Sequence, residues 1–140
     1  MEYGRFNDMI AVRIDRGEEI LEQLKQVCLK ENVQLATVSA IGALGEFTVG
    51  VYNVEEKKYY KNAFKGAYEI VSLAGNVTTM NGEYYAHLHL SAADGTGACV
   101  GGHLNAAVVS ATCELFLRTA NGAIDRFYDD VTGLNLMKFE

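Results

Sequence analysis

The chain contains no proline. A proline-rich spacer is therefore excluded, and no low-complexity tract, composition break or fixed-period repeat marks a second unit; residues 1–140 read as one domain. Long apolar runs are also missing. None approaches the ~20 residues that a membrane-spanning helix needs, and no apolar segment follows Met1-Glu2-Tyr3-Gly4-Arg5 as it would in an export signal. The expected location is cytoplasmic. Basic residues are in deficit, 12 Lys and Arg against 18 Asp and Glu, for a formal net charge of −6. Such a surface repels phosphate backbones at long range, so duplex DNA binding by this chain alone is expected to be weak or absent. Cysteine is scarce, and Cys28, Cys99 and Cys113 form no Cys-x-x-Cys pair. In their apolar surroundings they read as reduced, buried thiols.

What is present fits a globular fold, with 49% apolar and 21% charged residues. The run Met9-Ile10-Ala11-Val12-Arg13-Ile14 reads as a strand. Asp15 follows as a helix N-cap, with Glu18 three residues later as its capping-box partner. Ile20, Leu21, Leu24, Val27 and Cys28 recur at three- and four-residue spacing opposite a charged face. This predicts an amphipathic helix lying on a sheet and ending near Lys30 to Asn32. Leu35 to Ile41 reads as the next strand, making an opening β-α-β unit, and Phe47, Val49 and Val51 alternate with polar or small neighbours as another strand. Asn81-Gly82, Asp94-Gly95 and Asn121-Gly122 lie between apolar runs as hairpin turns. Ala107 to Leu117 predicts a long strand, with Ile124 to Tyr128 as its return. The expected class is α+β, one N-terminal helix packed on a mainly antiparallel sheet of about seven strands.

Two tyrosine doublets, Tyr59-Tyr60 and Tyr84-Tyr85, put an aromatic on both faces of their strands. One ring of each pair must lie outside the main core, under a loop or at a subunit interface. All three histidines fall in one stretch, Ala86-His87-Leu88-His89-Leu90 and then Gly101-Gly102-His103. His87 and His89, two apart on a strand, project from the same face roughly 6–7 Å apart. If the Asp94-Gly95 turn were a two-residue loop, His103 would land on the wrong face. A three- or five-residue loop sets His87 opposite His103, and a bulge at Gly101-Gly102 has the same effect on parity. Three imidazoles on one ion leave a fourth position open, as in catalytic zinc sites; nickel, copper and iron also suit imidazole. The plainer alternative is hydrogen bonding on a polar sheet face. That every histidine shares one compatible cluster favours one divalent metal per chain, zinc first, held by His87, His89 and His103. Glu69, Glu83, Asp94 and Glu114 are eligible as catalytic bases, and none is clearly placed as one.

Ile41-Gly42-Ala43-Leu44-Gly45, Tyr68 to Asn76, His87-Leu88-His89 and Gly101-Gly102-His103-Leu104 together resemble the PPC (plants and prokaryotes conserved) domain over about Met9 to Leu136. The resemblance implies an α+β homotrimer, with a fold similar to acetolactate decarboxylase, whose zinc is held by histidines. Plant members carry AT-hook segments built on Arg-Gly-Arg-Pro, and this chain has none. Their partner-binding block Gly-Arg-Phe-Glu-Ile-Leu corresponds here to Gly66-Ala67-Tyr68-Glu69-Ile70-Val71, with Ala in place of Arg. Gly66, Tyr68, Glu69 and Ile70 are thus the candidate partner contacts. Two functions follow as expectations. One is a metal-binding homotrimer serving as a regulatory or interaction module for a protein or small-molecule ligand, of the type often described as DNA-binding. The other is a small zinc-dependent enzyme acting on a small molecule.

Overall fold

The computed structural model describes residues 1–139. In chain order it has β1 (Glu2–Phe6), β2 (Met9–Asp15), α1 (Ile20–Lys30), β3 (Ala36–Asn53), β4 (Lys58–Met80), β5 (Glu83–Ala93), β6 (Cys99–Thr119), β7 (Asp125–Asp129) and β8 (Leu134–Lys138). One helix on a mainly antiparallel sheet is the α+β arrangement expected. Eight strands form rather than about seven, because the polar Glu2–Phe6 segment pairs as an edge on β2. The main sheet runs β1-β2-β6-β3-β4-β5, and β5 also pairs with β6. Strands β3, β4, β5 and β6 therefore hydrogen-bond in a closed ring. Both β2 and β3 are antiparallel to β6, so the opening unit is a β-α-β whose two strands are parallel and separated by β6.

Helix α1 forms because Ile20, Leu24, Val27 and Cys28 make one buried stripe facing core residues such as Ile10, Ile14, Leu115 and Leu117. Its N-cap is Glu19, not Asp15. The Glu19 carboxylate accepts from the amide of Glu22 at 2.7 Å and from the amide of Ala107 at 2.9 Å, so one side chain both starts the helix and ties it to β6. Asp15 and Glu18 do meet, the Asp15 amide donating to Glu18 at 2.8 Å, but this closes the turn that precedes the helix. Asn32 takes the left-handed conformation just past the end, with φ 53°.

Two further expectations are corrected. Ile124 to Tyr128 does not return along β6; β7 pairs with β8 in a separate two-stranded sheet, and that sheet is anchored to β4 where the Thr79 amide donates to the Ile124 carbonyl. The last strand of the main sheet is thus followed by a hairpin that lies over its face. Cys28 and Cys113 are buried, and burial pushes each thiol up to about 12, whereas Cys99, on the first residue of β6 beside the open loop, is exposed. The Asn81-Gly82 turn has positive φ at both residues, as a two-residue hairpin requires. On the sheet face away from α1, the cross-strand register puts Phe6, Phe116 and Ile41 on the same side in successive rows, and all three stay exposed.

Candidate metal centre

Strand β5 alternates strictly. Leu88 and Leu90 point into the core, each 2% exposed, so Tyr85, His87 and His89 must emerge on the opposite face. Asn76, paired with His87, and Thr78, paired with Tyr85, extend that polar face onto β4. Ala93 pairs with Cys99, so the β5–β6 loop comprises residues 94–98. It has odd length, as same-face geometry demands, but its centre sits one position later than expected: His89 rather than His87 lies opposite His103. Leu90, Ser91 and Ala92 pair in unbroken succession with Gly102, Gly101 and Val100, so no bulge between β5 and β6 is needed. Asp94 shapes the loop. One of its carboxylate oxygens accepts from the Thr96 amide at 2.8 Å, the Thr96 hydroxyl at 2.6 Å and the Ala98 amide at 3.2 Å, and these bonds, led by that from the Thr96 hydroxyl, hold its carboxyl below the usual range.

The three imidazoles converge. Their rings are 5.1 to 5.6 Å apart between centroids, and one ligating nitrogen from each lies within 4.8 Å of the others. The Nε2 atoms of His87 and His89 are 3.3 Å apart. Two nitrogens bound tetrahedrally at ~2.0–2.1 Å from zinc stand about 3.3–3.4 Å apart, so this spacing fits a shared ion. Burial, and then the neighbouring His103, lower the His87 pKa to about 4, and burial lowers that of His103 as well. Neutral imidazole is the form that ligates. Glycine makes the room: a Cβ on Gly102 (φ 158°) would sit 2.6 Å from the Gly50 carbonyl oxygen, and one on Gly50 would sit 2.5 Å from the Tyr59 ring. Tyr59 then stands edge-on to His103 at 6.2 Å and donates to Asn105 at 3.0 Å.

The cluster lies in a cavity of about 790 Å³ whose far wall is the β7–β8 hairpin. None of Glu69, Glu83, Asp94 and Glu114 lines it, and among the described residues its lining has no carboxylate at all. Arg126 lines it instead, a residue that sequence reasoning passed over because a lone arginine on a short strand carries no pattern. Its side chain is 6% exposed. Nε donates to the Thr78 hydroxyl at 2.8 Å, Nη1 to the Asn135 carbonyl at 2.8 Å and Nη2 to the Asn76 side chain at 3.0 Å, while the guanidinium lies 4.7 Å over the Tyr85 ring. Of the tyrosine doublets, Tyr85 and Tyr59 face this cavity, Tyr84 packs against the core and Tyr60 is exposed. The candidate partner contacts lie elsewhere, on the middle of β4. Ile70 is 4% exposed, Tyr68 packs edge-on to Phe47 at 5.0 Å, and only Gly66 and Glu69 of the four are open to solvent.

The imidazole shifts set a pH dependence. An unfolded imidazole takes up its proton near its ordinary value of about 6.5, whereas His87 in the fold resists protonation until about 4. Between those values the unfolded chain binds more protons, so the stability of the metal-free protein should fall as pH drops through this window. Bound metal should be released over the same range, since protons compete for its ligands. Denaturant midpoints and metal content after dialysis, both measured from pH 7 down to pH 4, check this; a flat stability profile would contradict it.

Several solved structures are similar to this chain. One is a candidate DNA-binding protein from Bacteroides thetaiotaomicron, with TM-score 0.96 and 29% identity over 99% of this chain and 96% of that one. A metal-containing protein from Archaeoglobus fulgidus has TM-score 0.87 and 32% identity, covering 99% of this chain and 96% of that one. A plant- and prokaryote-conserved (PPC) protein from Pyrococcus horikoshii has TM-score 0.85 and 32% identity, covering 99% and 94%. Acetolactate decarboxylase from Bacillus subtilis shares the fold alone, with TM-score 0.58 and 16% identity over 79% of this chain and 52% of that one. A comparison with curated proteins finds none that matches. The model of the Plants and Prokaryotes Conserved (PCC) domain matches residues 1–121, and the chain belongs to that family.

Proposed function

We propose that this protein is a homotrimeric metal-binding module that holds one divalent ion per chain, zinc by preference, on His87, His89 and His103 and presents it to a small molecule, as a regulatory or interaction domain of the cytoplasm. The observation that carries this reading is the convergence of three imidazole nitrogens within 4.8 Å in a cavity of about 790 Å³. That volume is in the usual range for small-molecule sites, roughly 300–1,000 Å³. A related protein described as metal-containing supports the ion. The same cavity offers no carboxylate among the described residues to move a proton, which favours binding over a metal-assisted hydrolysis.

Phe6, Ile41 and Phe116, large, exposed and on successive rows of one sheet face, support association between copies. The chain's net charge of −6 argues against a phosphate-backbone partner, although related structures carry DNA-binding descriptions. One experiment tests both points. On a sizing column with light scattering, the protein should elute at about three chain masses, and adding a fluorescent duplex at physiological salt should leave the two profiles separate. A monomer, or co-elution with duplex at submicromolar concentration, would count against the reading.

A further inference from the structure

The metal ligands do not account for Arg126. Arg126 is only 6% exposed, and a buried cation gives up hydration unless its charge is met, yet it pairs with no carboxylate among the described residues, and its three protein acceptors, Thr78, Asn135 and Asn76, are all neutral. A guanidinium has five N–H donors; three are committed, so two remain without a partner among the described residues. The group is fixed from three sides, by β4, by β8 and by the Tyr85 ring beneath it. It also belongs to the histidine face: Asn76 is the cross-strand partner of His87, and Tyr85 precedes His87 by one same-face step, about 7 Å along the strand.

We propose, resting on the metal reading above, that the cavity takes a small organic carboxylate whose carboxyl group is gripped by Arg126 while its body reaches toward the ion on the three histidines. Two free donors on a rigid planar fork match the two oxygens of one carboxylate. Among the described residues no Lys and no second Arg line the cavity, so nothing besides the proposed ion is placed to neutralise a phosphate dianion. Val51, Leu134, Leu136 and Met137 supply apolar walls, which suit a carboxylate with a hydrocarbon or aromatic body.

Calorimetric titration of the zinc-loaded 140-residue chain with benzoate, benzamide and phenyl phosphate tests the proposal. Benzoate should bind at least about tenfold more tightly than neutral benzamide, the range of charge-assisted hydrogen bonds, and more tightly than phenyl phosphate. Arg126→Gln should weaken benzoate at least about tenfold with zinc still at one per chain. Asn76→Asp is the second variant, because it places a carboxylate where Nη2 already donates at 3.0 Å. It should melt no lower than the wild type and yet lose benzoate by a similar factor. Benzoate bound equally by the wild type and Asn76→Asp, no benzoate binding by the wild type, benzamide as tight as benzoate, or phenyl phosphate as tight as or tighter than benzoate would each overturn the proposal. The metal reading fails separately. Benzoate binding to zinc-free His89→Ala that still requires Arg126 supports the anion site without the ion, whereas full zinc with Arg126-independent benzoate binding removes the anion site and leaves the ion.

Discussion

Replacing His89 with alanine is expected to strip most of the metal from the protein while leaving the fold intact. His89 is the central ligand, beside His87 with Nε2 atoms 3.3 Å apart and directly across the ladder from His103. Without it, two imidazoles remain on different strands, a set too poor to hold a divalent ion firmly; structural and catalytic zinc sites keep at least three protein ligands. The side chain is exposed and outside the core, so its loss removes little packing. Elemental analysis of tag-free protein should give one metal per chain for the wild type and a small fraction of that for His89→Ala. Added zinc at ~100 times its dissociation constant should stabilise the wild type by about 2.7 kcal/mol and the variant by almost nothing. Equal metal content in the two proteins would rule out the three-histidine assignment.

Gly102→Ala should be far more damaging than its size suggests. The residue sits at φ 158° with its absent Cβ aimed at the backbone of Gly50, 2.6 Å from the carbonyl oxygen. Backbone cannot swing aside as a flexible side chain can, so β3 and β6 must separate where Gly50 pairs with His103. We expect a loss of about 2–3 kcal/mol, the scale of backbone strain at a forced position, measured as a lowered denaturant midpoint. Metal affinity should fall as well, because His103 moves with its strand. Unchanged stability would mean that the two strands have slack at this pairing.

The helix was legible because a single stripe, Ile20, Leu24, Val27 and Cys28, is enough to place it; its start was not, because Asp15 with Glu18 and Glu19 with Glu22 offer the same chemistry four residues apart and only the acceptor role of Glu19 toward Ala107 on β6 separates them. The histidine face was legible from the inward-pointing Leu88 and Leu90. Its register was not, since odd loops centred on Gly95 or on Thr96 satisfy the same parity, and the choice falls to hydrogen bonds that Asp94 makes with Thr96 and Ala98. Arg126 was invisible for a different reason. Its neighbours Thr78, Tyr85 and Asn76 are distant in the chain, and nothing local distinguishes it from a solvated surface cation. The same limit explains the misplaced Ile124 to Tyr128 segment, whose pairing with Leu134–Lys138 rather than β6 is decided by tertiary packing on β4.

All three imidazoles belong to a single hairpin, β5–β6, closed by residues 94–98. An isolated hairpin closes in about 1–10 μs, whereas the β3–β6 ladder that walls the histidines must join segments as distant as Gly50 and His103, and non-local pairing of this kind is slow. On a chain growing from its N-terminus, the histidines also emerge before the β7–β8 segment that carries Arg126. The three candidate ligands can therefore meet while the cavity is still unbuilt. Loading of the proposed ion and binding of the proposed ligand are in this way separable: the first calls on one hairpin alone, the second on the β7–β8 wall as well.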